Sequence, residues 1–566
     1  MKSLLGDTVI LMIMCFFLSS CTDNTIKDTD NVTIGENDDE EDADDENTIL
    51  NVYDWPTSQG QAKLSEHYDV YVTLEGEKEQ KLEVLQSDAI VNNIGTDGKE
   101  GQDAYANLTK QRTFSFAWVS YDESSGKKIT FRIVSKDGYS NPELAPKSYD
   151  ISCEKSGSSM SFSVDKSNRY IAVNFKCPEN IVRHEKGYDW VKHMLVLYID
   201  PLEKLKPDPL TQRIVYYSDD VSDTKLAGAD VIYFKPGYYN LKDNPTGNVI
   251  NSEGGLTLTS NQQLYLAGGA FVEGYILRKN YGDTNQRFYG RGIITGRQYT
   301  WLPGASESDG RIKQLVMLAN KSVFEGLMIM ESPNHGIVST NDCTYQNVKM
   351  LGWHCNNDGM RPGNNSKISN CFLRAYDDFF YNYSLDVRDC VLWPGWNGSI
   401  MTNGWNDIDI GGSLVENIDI IYPEWFSMGN NRGLIMSQND YAFNPPNGSK
   451  TTVFRNIRFE GKIPGFVNLK PNSNYSSGRP LLKDASQLGW LGDILLENIT
   501  INEHENKPNN LIKGGCPAVV NDPNSIWLVK DVIFKNITIG GTKVTESNKG
   551  QWFRIDERTT SDIKFE

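Results

Sequence analysis

The chain of 566 residues is poor in the groups that metal and redox chemistry need. Six histidines occur, none in an HExxH arrangement, and the nine cysteines form no CxxC pair. A catalytic transition metal or a zinc ribbon is therefore not expected, and no cofactor is called for. Setting Cys15 and Cys21 aside leaves Cys153, Cys177, Cys343, Cys355, Cys371, Cys390 and Cys516. That odd number at irregular spacing argues against a disulfide framework, although Cys153 and Cys177 could pair; the rest read as small buried apolar residues. Cations are outnumbered, 56 Lys and Arg against 74 Asp and Glu, for a net charge of −18. Nucleic acid and anionic membrane surfaces, which need clustered Lys and Arg, are excluded as expected partners. Between about Asn47 and Asp220 no amphipathic helical period of useful length is found. The one long apolar run, Val9 to Leu18, is too short to span a bilayer.

What the N-terminus does hold is a targeting pattern. Lys2 precedes the apolar run, which ends in Leu18-Ser19-Ser20-Cys21. A small-residue site closing on Cys resembles a bacterial lipoprotein signal, with residues 1–20 removed and Cys21 as the lipid attachment site. An ordinary secretory signal with a chance Cys is the alternative. Between Thr22 and Glu46 stand twelve acids and one base, so residues 21–46 are too charged to fold and read as a solvated tether. The expected location is the bacterial cell envelope, at the outer membrane or cell surface, with membrane contact only through the lipid; a monomer is expected.

From 47 to 224 the pattern is short alternating strands, such as Asp69–Leu74, Phe114–Tyr121 and Ile129–Val134, separated by Gly, Ser, Asp and Pro. This predicts a β-sandwich. From 225 to 566 the character changes. The motif apolar-x-Asn-apolar recurs at Asn347, Asn370, Asn417, Asn456, Asn498 and Asn536, with Asp389 in the same place once. The first intervals are 23 and 19 residues and later ones reach 42, so loops are inserted there. A repeat near 20 residues in a strand-rich, Gly-rich chain indicates a solenoid whose coils bury their apolar faces only by stacking. The expected fold class is all-β, a sandwich followed by a right-handed parallel β-helix.

The chemistry concentrates in Trp353-His354-Cys355-Asn356-Asn357-Asp358-Gly359-Met360 and Ala375-Tyr376-Asp377-Asp378-Phe379. Asp358 lies 11 residues after Asn347, and Asp377 and Asp378 lie 7 and 8 after Asn370. Three carboxylates on neighbouring coils would therefore share one face, and crowding raises at least one pKa, as an acid and base pair for glycosidic cleavage requires.

Asn-x-Asp-Gly followed one coil later by Asp-Asp, on a helix entered through Pro236-Gly237-Tyr238 and Gly268-Gly269-Ala270-Phe271, resembles the polygalacturonase clan of glycoside hydrolases. Within it the chain is most similar to glycoside hydrolase family 49, the dextranases and isopullulanases. That family places a β-sandwich before its β-helix and spaces its aspartates by the 19 and 20 residues seen here from Asp358 to Asp377 and Asp378. The resemblance implies an inverting hydrolase, endo-acting on an α-glucan such as dextran, with Asp377 as general acid and Asp358 and Asp378 activating water. Polygalacturonases proper follow Asp-Asp with Gly-His-Gly and Arg-x-Lys; neither follows Asp378, which argues against pectin.

Trp353, Tyr376, Trp393, Trp396 and Asn356 are the candidate sugar contacts, and Trp405 shares their context. His335 resembles the clan's Ser-Pro-x-x-His stretch but is expected to be structural, and Asn430-Asn431-Arg432 reads as a solvated turn. Two other functions compete. A β-helix lyase acting on a uronate polymer would use calcium and a base such as Arg361 or Arg374. A surface glycan-binding protein would need none of the aspartates.

Overall fold

The computed structural model describes residues 48–89, 102–301, 314–354, 356–403, 411–428, 432–437, 450–471 and 482–566. The expected signal segment, the lipid site Cys21 and the tether 21–46 lie outside them, as do Cys355, Trp405, Asn430 and Asn431.

Between Leu50 and Pro201 the described residues form two largely antiparallel sheets of six and five strands and a two-stranded hairpin, Ile181–Arg183 with Asp189–Val191. Strand Tyr68–Leu74 alternates buried and half-buried residues along its whole length, and Ile129–Ser135 does the same. Alternation of period two puts one set of side chains inward. That set (Val70, Val72, Phe131, Ile133) packs on Val119, Ile171, Leu195 and Leu197 of the facing sheet. Strands Thr113–Tyr121 and His193–Pro201 are instead buried at nearly every position. Such strands are covered on both faces, and here the second cover is the solenoid. Cys153 and Cys177, which could have paired, are free thiols.

The solenoid is a right-handed parallel β-helix. Its first parallel pairing joins Ile214–Tyr216 to Val231–Phe234, and its last joins Leu528–Ile539 to Thr560–Phe565. Among the described residues one continuous sheet of 21 strands runs its length. A second face carries a five-stranded sheet ending at Met360–Arg361 and then a six-stranded sheet beginning at Phe380–Tyr381. The interior is a single apolar column, including Phe288, Phe324, Tyr345, Ile368, Val387, Val415, Phe454, Leu496 and Phe534.

The recurrent Asn is a backbone requirement. Asn347, Asn370, Asp389, Asn417, Asn456, Asn498 and Asn536 all have positive φ, between 51 and 57°. Asn and Asp tolerate this left-handed conformation better than other side chains. The amides also form a ladder: Asn498 Nδ2 donates to Asn456 Oδ1 at 3.0 Å and Asn536 Nδ2 to Asn498 Oδ1 at 2.9 Å.

The outer face of the solenoid is apolar where the first sheet covers it. Phe271, Met328, Met330, Leu351 and Phe372 pack against Trp55, Phe114, Phe116, Trp118 and Tyr198. Charges buried there are paired. Lys349 Nζ donates to Asp200 and to the carbonyls of Gly326 and Asn347, at 2.7 and 2.8 Å for the latter two. Burial lowers the Lys349 ammonium to about 8, against the opposing pull of Asp200. Among the described residues no helix is long and apolar enough to cross a membrane.

Candidate active site

The three aspartates sit at the junction of the five- and six-stranded sheets. Gly359 N–H donates to the Asp378 carbonyl at 2.8 Å, Met360 N–H to Phe379 at 2.9 Å, and Phe379 N–H to Ser399 at 2.8 Å. Asp358, Asp378 and Ser399 therefore occupy three successive coils. The Asn357 carbonyl accepts from the N–H groups of both Tyr376 and Asp377, at 3.0 and 3.1 Å, which draws the Asp-Asp segment against the preceding coil. On the other side stands Gly398, with φ of +79°; a Cβ there would lie 1.9 Å from the Asp377 carbonyl carbon. Only glycine permits so close an approach in that conformation.

All three carboxylates are buried, Asp358 at 5 %, Asp377 at 7 % and Asp378 at 2 % exposure. Each is held by a donor. Tyr381 Oη donates to Asp358 Oδ2 at 2.5 Å, Asn397 Nδ2 to Asp377 Oδ2 at 2.8 Å, and Ser399 N–H to Asp378 Oδ1 at 3.0 Å. Burial, followed by the neighbouring charges of Asp358 and Asp378, pushes the Asp377 carboxyl well above its ordinary value, against the smaller opposing pulls of the Asp378 N–H and Asn397. Burial and the Asp358 charge likewise raise the Tyr381 phenol well above its usual value, so it stays a donor.

Tyr381, Asn397 and Ser399 are therefore site residues that sequence reasoning missed. Asn397 stood within the Pro394-Gly395-Trp396-Asn397-Gly398 stretch, but its tie to Asp377 depends on the stacking of coils. Asn357 was also passed over, although it braces the site. Its Oδ1 accepts from the N–H groups of Trp353 and His354 at 2.6 and 2.7 Å, and its Nδ2 donates to the Ser332 carbonyl at 3.0 Å. Asn356 is only half-buried, next to it. His335 comes close to the carboxylates, with Nε2 3.6 Å from Asp358 Oδ1, too long for a hydrogen bond. His354 is buried flat against Trp301, 6.0 Å between ring centres, and burial lowers it to about 3.

The expected aromatic sugar contacts need correction. Trp353, Tyr376 and Trp393 are at most 1 % exposed and belong to the core between solenoid and first sheet. Trp353 Nε1 donates to Ser87 Oγ at 2.9 Å. Tyr376 Oη accepts from Arg374 Nη2 at 2.6 Å, and Trp393 Nε1 donates to Glu424 Oε1 at 3.2 Å. These rings point out of the coil, and the N-terminal sheets cover that face. Trp396 is nearly as buried and stacks on Phe426, 6.0 Å between ring centres and 7° between planes.

Arg432 is buried rather than solvated. Its Nε donates to the Trp396 carbonyl at 2.6 Å and its Nη1 to Ser427 Oγ at 2.6 Å. Arg374, considered as a lyase base, is locked in a buried ion pair with Glu424 at 3.0 Å, which also takes two bonds from Arg112 at 2.7 and 2.8 Å. Burial alone would raise the Glu424 carboxyl, but Arg112 and Arg374 outweigh it and hold it at about 2. A guanidinium is a base only after losing its proton, and the buried pair with Glu424 holds Arg374 in its charged form.

No protein-family model matches the chain. Over 299 residues it is 26% identical to a dextranase of Arthrobacter globiformis, covering 47% of this chain and 45% of that one. The chain thus spans about half the length of that relative. Over 481 residues it is 21% identical to an isopullulanase of Aspergillus niger, covering 78% and 80%. Among solved structures, Dex49A from Penicillium minioluteum superposes with a TM-score of 0.69 at 18% identity, over 90% of this chain and 96% of that one, a likeness of fold. Sequence relatives and shared fold point the same way: the chain is similar in sequence to dextranases and an isopullulanase and shares the fold of Dex49A.

Proposed function

We propose that the protein is an inverting glycoside hydrolase that cleaves a polysaccharide, an α-glucan of the dextran kind, by general acid/base catalysis. The observation that carries this reading is the group of three buried carboxyls on adjacent coils, with Asp377 favoured in its protonated form by burial and then by its two neighbours. In this reading Asp377 gives its proton to the glycosidic oxygen as the C1–O bond breaks. Asp358 and Asp378 orient a water, and one of them takes its proton as the oxygen bonds to C1 from the opposite face. Tyr381 and Ser399, which hold those two carboxylates, support their role as acceptors. The names of the relatives, dextranase and isopullulanase, support an α-glucan as substrate.

Reducing-end release from a panel of neutral and acidic polysaccharides tests this, wild type beside Asp377→Asn and with EDTA in parallel. Hydrolysis of a neutral α-glucan, indifferent to EDTA and lost in the variant, is expected, and the first-formed product anomer, read by NMR, should be inverted. Release only from a uronate polymer, with ultraviolet absorbance, would replace the hydrolase by a lyase. We further propose that the enzyme is held in the bacterial envelope by lipid on Cys21; labelling with a radioactive or clickable fatty acid, abolished by Cys21→Ser, tests it.

A further inference from the structure

We propose that a cavity beside the catalytic face binds an acidic substituent, carboxylate or sulfate, carried by the glycan; this rests on the glycanase reading above. The cavity has a volume of about 460 Å³, and its lining includes Lys186, Lys470, Lys507 and Arg554, with Glu505 and Phe426. In a chain of net charge −18, four cations against one carboxylate among the described residues of one hollow is a local reversal of sign. Glu505 is already engaged. It accepts from Tyr188 Oη at 2.7 Å and Asn509 Nδ2 at 2.9 Å, and its nearest cation is Lys507, at 3.8 Å. Among the described residues, Lys186, Lys470 and Arg554 pair with no carboxylate. Grouped, unneutralised cations at a concave surface make a positive potential that attracts an anion.

The cavity's position ties it to the chemistry. Strands Val467–Leu469, Asn510–Ile512 and Phe553–Ile555, which supply Asn468, Leu511 and Arg554 to the lining, are the last three of the six-stranded sheet. That sheet begins with Phe380–Tyr381, beside the aspartates. Three strand spacings of about 4.8 Å separate Phe380–Tyr381 from Val467–Leu469 and five separate it from Phe553–Ile555, roughly 14 and 24 Å along the helix axis. The aromatic path between them is continuous. Asn397 holds Asp377, the preceding Trp396 stacks on Phe426, and Phe426 lines the cavity with the Lys186 ammonium 5.0 Å from its ring. An oligosaccharide lying along this face with its scissile bond at Asp377 would bring a sugar a few units away over the cations. A neutral sugar gains nothing from ammonium groups that an acidic one does not gain more strongly.

The test uses the full chain bearing Asp377→Asn, so that binding is read without turnover. Calorimetry compares dextran oligosaccharides with carboxymethylated and sulfated forms of the same length, with and without Lys470→Ala and Arg554→Ala together. At least one charged form should bind about tenfold tighter than the neutral one. The double substitution should reduce that preference to within about threefold, as should about 0.5 M NaCl through screening. Both side chains reach the surface, and unchanged thermal unfolding verifies that the variant is folded. Equal affinity for neutral and charged forms, no binding of the charged forms, or a preference that survives the double substitution would overturn the proposal. Charge-dependent binding by a wild type that hydrolyses no glycan would remove the hydrolase reading alone. Hydrolysis without charge preference would remove this inference alone.

Discussion

Gly398→Ala isolates the geometric demand at the junction that holds the three aspartates. The added Cβ would stand 1.9 Å from the Asp377 carbonyl carbon, 2.2 Å from its oxygen and 2.4 Å from the Asp378 nitrogen. All three are backbone atoms and cannot swing aside. Ordinary carbon contacts begin near 3.5 Å, so the Asp-Asp segment must withdraw by roughly 1.5 Å. Adopting the left-handed conformation with a side chain adds about 1–2 kcal/mol. A misplacement of about 1 Å at a reacting centre can lower a rate by about 100-fold. The expected outcome is a kcat at least about 100-fold lower, in initial rates of reducing-end release from the best glucan substrate. Gly126→Ala is the control for strain alone, because Gly126 has φ of +69° and a Cβ there meets nothing within 4 Å. It should lose about 1–2 kcal/mol of stability with full activity. A Gly398→Ala enzyme within about threefold of wild-type kcat would refute the argument that this close approach positions Asp377.

Asp377→Asn should stabilise the protein while inactivating it. In the unfolded chain the carboxyl ionises near 3.9, whereas in the folded state burial, Asp358 and Asp378 raise it. The folded state therefore binds more protons between the two values, and Asp377 costs stability that grows as pH rises through that window. The variant should melt higher than wild type at pH 7, with the difference closing near pH 3; equal melting temperatures at pH 7 would contradict this. Glu424→Gln leaves the Arg112 and Arg374 guanidinium groups buried without a counter-charge and should cost about 3–5 kcal/mol. Arg112→Met leaves a balanced pair and should cost less, an order readable in urea midpoints. At Asn498, Ala should lose about 1–2 kcal/mol from the left-handed turn and the ladder bond to Asn456, while Gly should recover the conformational part.

The repeat was legible because one residue type reports a backbone conformation. A left-handed turn residue recurring once per coil narrows to Asn, Asp or Gly, so Asn347, Asn370 and Asp389 mark coil positions directly in the sequence. Counting from them put Asp358 and the Asp377–Asp378 pair on adjacent coils, as the backbone bond from Gly359 to Asp378 has it. The donors were not legible. Tyr381, Asn397 and Ser399 look like any polar or aromatic residue of a coil until stacking brings them to the carboxylates.

The aromatic residues were misjudged for a related reason. An outward ring on an isolated solenoid faces solvent, and Trp353, Tyr376 and Trp393 would then be surfaces for sugar. Here the N-terminal sheets occupy that face, and Ser87 and Glu424 take the indole N–H groups. Arg112 meets its carboxylate 312 residues along the chain. By itself the sequence determined the coil, its turns and the register of the aspartates, because these depend on local backbone preference and a short period. The tertiary structure alone decided which outward side chains are core, which cations are spent in buried pairs and which remain grouped around an open cavity. Those outcomes depend on contacts between segments hundreds of residues apart, which no local pattern records.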